Sequence, residues 1–152
     1  MHIIGSSKCR ICGRIVERGQ PAIAFPAFVV NEVDALAVFN DALMHQACFD
    51  THPLAPVALA AFEDYCERSV PEARRCEVCG HLIDDPDQFL WLGLLTTDQT
   101  NPFFEYNYLH FHRRCIGVWP KRATLLHRLM QMKSLGKWCG RGAEWMLSQF
   151  SE

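Results

Sequence analysis

Cys9 and Cys12 form a C-x2-C pair, and 32 residues separate them from His45 and Cys48, which form H-x2-C. Cys76 and Cys79, then His112 and Cys115, repeat both motifs, with all four positions displaced by 67. Six of the eight cysteines and two of the seven histidines fall on this register, so it is not a chance scatter of buried thiols. Three thiolates and one imidazole are the donor set of a tetrahedral zinc site. The paired histidines argue against iron–sulfur ligation. Four protein donors close the coordination shell, so both sites read as structural, with two Zn²⁺ per chain. Each site carries a formal charge of −1, which takes the formal net charge of −2 to nearer −4 in the zinc-loaded chain.

The repeat extends beyond the donors. Gly13 matches Gly80 after each C-x2-C, where a tight turn favours glycine. Asn40 matches Asn107, Phe39 matches Tyr106, and Pro53 matches Pro120. A tandem duplication accounts for this pattern. It aligns His112 with His45 but His110 with Leu43, so His112 is the expected ligand. Cys66 and Cys139 lie off the register and are expected to be small buried hydrophobes. His2, His52, His81 and His127 have no matching partners and are expected to be non-ligands at the surface or in the core.

The elements that must carry these donors can be read between them. Apolar runs at Ala22 to Val30 and Phe89 to Leu95 follow turns and read as first strands. Phe103 to Phe111 (FFEYNYLHF) is aromatic and β-prone and leads into His112. Its counterpart, Asp34 to Met44, is ambiguous at its start and strand-like near its end. Beyond each H-x2-C a proline opens a helical pattern, Leu54 to Arg68 and Lys121 to Leu135, and a last short helix spans Ala143 to Phe150. The expectation is a small α+β chain stabilised by zinc, with units at 1–70 and 71–152 and a boundary near Val70-Pro71. Units of this size have little core, so bound zinc should decide their stability.

A C-x2-C-G knuckle and the start of a helix sharing one ion across a hairpin resembles the treble-clef zinc finger. The resemblance rests on Cys9, Cys12, Gly13, His45 and Cys48, and on Cys76, Cys79, Gly80, His112 and Cys115. It covers residues 9–68 and 76–135. A LIM arrangement does not fit, because 27 residues lie between Cys48 and Cys76. A RING cross-brace does not fit either, because the motifs follow one another rather than interleave. The resemblance implies two tandem units of knuckle, β-hairpin and helices. It implies no single function, since treble clefs serve many roles.

Charge is segregated along the chain. Gly19 to Glu67 has seven acids and no Lys or Arg, and Cys76 to His112 has six acids and again none. Arg113, Arg114, Lys121, Arg122, Arg128, Lys133, Lys137 and Arg141 then follow without an acid. With Trp119 and Trp138 among them, they could follow a phosphate backbone and stack bases, or face the acidic hairpins of the same molecule. A near-neutral pI of about 6.4 does not favour nucleic acid. A protein partner is the preferred reading, with Phe103 to Tyr108 and the loop Thr96 to Pro102 as contact elements. The general character resembles a bacterial accessory protein, an adaptor or a toxin-neutralising immunity protein. Phosphate loops, nucleophile elbows, H-E-x-x-H and the zinc-deaminase signature are absent from the sequence. Asn107, His110 and Glu105 evoke a His-Asn-His nuclease, which treble clefs also underlie, but the adjacent acid–histidine pair is missing, so no enzymatic activity is expected. No apolar run approaches a bilayer span and no signal-like start is present, which points to a cytoplasmic protein without membrane attachment.

Overall fold

In the computed structural model, which describes residues 4–151, the chain is a small α+β protein. His2 lies outside the described residues. Strands β1 (Ala22–Phe25) and β2 (Ala42–His45) form one antiparallel hairpin, and β3 (Phe89–Trp91) and β4 (His110–His112) form the second. Ala22 pairs with His45 and Phe89 with His112, so strand register repeats at the same 67-residue offset as the cysteines. Helix α1 (Gln46–Asp50) follows β2, and a 3-10 segment (Arg113–Val118) follows β4. Helices α2 (Ala55–Ser69) and α3 (Arg122–Ser134) come next in each half, and α4 (Arg141–Phe150) ends the chain.

The strands are shorter than the apolar runs suggest. β1 stops at Phe25 and β3 at Trp91, because the residues beyond leave the hairpins to join the two halves. Val29 bridges Leu94, and the Val30 and Asn31 amides donate to the Leu94 and Leu95 carbonyls at 2.8 and 3.3 Å. The Phe103 to Phe111 run is not a strand either. Phe104–Tyr106 forms a 3-10 turn, and only its end enters β4. Asn101 starts that turn by accepting the Phe103 amide at 3.0 Å, and the turn delivers Phe103 and Tyr106, three apart, into the core. The same device stands one repeat earlier. Asp34 accepts the Leu36 amide at 3.0 Å and starts Ala35–Phe39, which buries Leu36 and Phe39.

Two apolar clusters form the interior. One gathers Phe25, Phe28, Phe39, Phe49 and their neighbours, with Leu94 from the second half completing it. The other gathers Phe103, Tyr106, Phe111, Trp119, Trp138 and Phe150, with Val30 from the first half packed against it. Helix α4 has no counterpart among the described residues of the first half. Its start presses onto Val30 so closely that a Cβ on Gly142 would overlap Val30 Cγ1. Glycine is what that approach requires.

Candidate metal centres

Each C-x2-C sits in a turn closed by its own backbone. The Cys9 amide donates to Arg14 O at 2.7 Å and the Gly13 amide to Cys9 O at 2.9 Å. The Cys76 and Gly80 amides do the same to His81 O and Cys76 O, at 2.9 and 2.8 Å. Gly13 and Gly80 both have φ of 72°, the left-handed region in which a Cβ is costly. One further bond docks each turn on its hairpin: Arg10 N–H to Leu43 O at 2.9 Å, and Glu77 N–H to His110 O at 2.8 Å. Those bonds place both cysteine pairs beside the histidine at the end of β2 or β4. The next turn of chain supplies Cys48 or Cys115.

The result is two groups, Cys9, Cys12, His45 and Cys48, and Cys76, Cys79, His112 and Cys115, whose donor atoms all lie within 4.8 Å of one another. Zn–S and Zn–N bonds of about 2.3 and 2.0 Å make the edges of a tetrahedral site roughly 3.5–3.8 Å. Cys12 Sγ and Cys48 Sγ lie 3.4 and 3.8 Å from His45 Nδ1, and Cys79 Sγ lies 3.4 Å from His112 Nδ1. These spacings fit a tetrahedral ion. All eight cysteines are free thiols, so no disulfide competes for the donors.

Hydrogen bonds prepare the donors. His45 Nε2 lies 3.2 Å from Ile15 O. A carbonyl accepts only from N–H, so the proton belongs on Nε2 and the Nδ1 lone pair faces the thiols. In the metal-free cluster the Arg14 amide, then the Arg14 side chain, draw the Cys12 thiol down to about 6. Burial pushes Cys76 up, but the amides of His112, Cys79 and Val78 outweigh it and bring that thiol to about 6. Burial, then the Cys12 and Cys9 thiols, push Cys48 to about 11. A dication reverses that last effect, because it replaces anionic repulsion with attraction. The first centre is the more open of the two. Cys12 and Cys79 are both exposed, but His45 is half-buried whereas His112 is only 4% accessible.

The other sequence candidates separate from these centres. His110 is buried off the metal cluster, with Nδ1 3.1 Å from Ala73 O. Cys66 and Cys139 are exposed rather than buried, because Cys66 lies on the outer face of α2 and Cys139 precedes α4 at the surface. Asn107 is not placed for chemistry. Its side chain accepts from the Leu95 and Thr96 amides and donates to Thr96 O. Trp119 and Trp138 are core residues, so neither can stack a base. Glu105 takes Lys121 at 2.8 Å and Arg128 at 2.5 Å, and Glu144 takes Lys133 at 2.6 Å. Arg113 bonds Asp87 O and Gln149, and Arg122 bonds Phe150 O. Arg114, Lys137 and Arg141 are exposed. The loop Thr96 to Pro102 is a contact loop, but its contact is internal, with Asp34 of the first half. Its Asp98 side chain accepts the Thr100 amide as Asn31 accepts that of Val33, a resemblance in turn chemistry that apolar character hides.

No family model matches the chain, and neither a curated protein nor a solved structure matches it. No helix among the described residues is long and apolar enough to cross a membrane.

Proposed function

We propose that the chain is a non-enzymatic scaffold of two treble-clef-like units, each built on one structural Zn²⁺, and that it acts by binding a protein partner. The observation that carries this reading is the completeness of both donor sets. Each group brings four protein donors to one tetrahedral volume. An ion held by four donors has no open position for a substrate and serves to fix the turns and hairpins. Residues 9–68 and 76–135 would be the two treble-clef units, with the boundary near Val70. The thiolate-rich donor set with one imidazole supports zinc as the ion.

Partner binding is favoured over nucleic acid by how the basic run is used. Five of its eight cations are bonded within the molecule, and its two tryptophans are buried. Exposed apolar side chains remain, among them Phe104, Val118 and Trp145. An adaptor or immunity role fits such a surface. The test is affinity purification of the tagged chain from its host, with and without nuclease and in rising salt. A stoichiometric protein retained through both treatments, and rebinding when purified, supports the reading. Nucleic acid lost on nuclease treatment or with a steep salt slope overturns it.

A further inference from the structure

An open groove of about 740 Å³ is lined by residues of both halves. Phe28 and Tyr65 line it from the first half, and Trp91 and Trp145 from the second. Tyr65 and Trp91 sit 5.0 Å apart, ring centre to ring centre, and so join the two sides. Trp145 is 39% accessible, on the outer face of a helix whose inner face buries Ala143, Met146 and Phe150. An indole left in water beside an aromatic wall is the kind of anchor that dominates protein interfaces.

Each half also contributes one guanidinium to the groove, Arg10 and Arg141. Arg141 stands one helical turn before Trp145, on the same face of α4. Arg10 is steadied by its Nε–H donating to Val38 O at 3.3 Å. Neither arginine makes an ion pair among the described residues, unlike Lys121, Arg128 and Lys133 of the same molecule. Two carboxylates also line the groove. Asp41 accepts the Ala27 amide at 3.2 Å. Glu32 lies against Gly140 at the start of α4, where a Cβ would overlap its carboxylate. The positive end of the helix stabilises that carboxylate where it stands. The formal charges of the lining balance, but both carboxylates have stabilising contacts within the protein, whereas neither guanidinium has a carboxylate partner among the described residues.

We propose that this groove receives an extended segment of the protein partner, in which an apolar side chain seats beside Trp145 and Tyr65 and flanking carboxylates pair with Arg10 and Arg141. The proposal rests on the partner-binding reading and names the surface and the chemistry. A volume of this size suits a few residues of chain rather than a whole domain face. Two guanidiniums are too few to drive polyanion binding by counterion release, but they suffice to orient a peptide through bidentate carboxylate pairs.

The test is selection from a phage-displayed random dodecapeptide library on the immobilised, zinc-loaded full chain, followed by titration of the selected peptides by fluorescence anisotropy. The selected sequences should place Asp or Glu beside an aromatic or branched aliphatic residue. Arg141→Ala and Trp145→Ala should each weaken them by about tenfold or more, as anchor residues do. Arg10→Ala, on the other half, should weaken them in a variant whose α4 is untouched. Val118→Ala, outside the groove lining, should leave affinity unchanged. Basic sequences, no enrichment, or affinities indifferent to Arg10, Arg141 and Trp145 would overturn the assignment. So would a dodecanucleotide that competes for the groove and is lost in Arg141→Ala. If the purified natural partner binds these variants undiminished, partner binding stands and the groove assignment falls. If neither peptide nor protein binds, both fall.

Discussion

Thr97 donates twice to Asp34 across the two halves, through its amide at 2.6 Å and its hydroxyl at 2.8 Å. The same carboxylate takes the Thr96 hydroxyl at 2.9 Å while it starts the 3-10 turn of its own half through the Leu36 amide. One side chain thus couples a local turn to a long-range contact. Asp34→Ala removes every one of these bonds from donors on buried Leu36 and Thr96 and half-buried Thr97. The expected loss is about 2–4 kcal/mol. Thr97→Val removes one hydroxyl and should cost about 1 kcal/mol. Urea midpoints at constant zinc check both values, and equal midpoints in the two variants would contradict the assignment.

Metal analysis should find two zinc ions per chain. Cys12→Ser and Cys79→Ser should each lower the count to one. Structural zinc contributes on the order of 10 kcal/mol to a small unit, so a strong chelator should abolish the cooperative thermal transition. A chain that stays folded after complete metal removal would refute the structural role.

Thiol labelling gives an independent count. Cys66 and Cys139 are exposed and outside both donor groups. The native zinc-loaded protein should show two fast-reacting thiols, and the other six should react only after metal is removed. Cys12 and Cys79 make this informative, since both are exposed and only coordination would protect them.

Glu105 provides a pH prediction. Hydrogen bonds from Lys121 and then Arg128 hold its carboxyl below the usual range. A depressed carboxyl pKa in the folded state stabilises above the unfolded-state value of about 4.3, and the gain is lost as pH falls through the folded value. Glu105→Gln should therefore destabilise at pH 7 by no more than about 1 kcal/mol, because the pair is exposed and screened. The gap between variant and parent should close as pH falls below about 4. Comparing the two at each pH cancels the acid sensitivity of the metal centres.

The two Cys3His donor groups were legible in the sequence because ligation needs a few residue types at fixed spacing, and a duplication printed that spacing twice. The helices were legible from proline starts and apolar periodicity: Leu54 to Arg68 became α2 at Ala55–Ser69, and Lys121 to Leu135 became α3 at Arg122–Ser134. The hairpins were overextended because an apolar run does not reveal which core it enters. Val29, Val30 and Leu94 read as strand but serve the seam between halves. The aromatic run at Phe103 misled for a related reason. Its β-propensity yields to Asn101 and Asn107, whose side chains satisfy backbone amides and turn the chain. The pairing of Asn40 with Asn107 was visible as a repeat. Its cause was not: each amide side chain bonds two successive amides and a carbonyl 11 or 12 residues upstream. Cys66 and Cys139 had no such signal, and exposure followed from tertiary placement alone.

Leu94 belongs by position to the second copy and by packing to the core of the first. The ribosome releases the chain from its beginning, so the first copy emerges with one wall of its interior still unsynthesised. Its Cys3His group can close early, but its apolar cluster must await the segment beyond β3 that carries Leu94. Maturation is then reciprocal rather than sequential. A gene split at the copy boundary would yield two fragments that each lack a part of their own interior carried by the other, and co-expression should restore what separate expression loses.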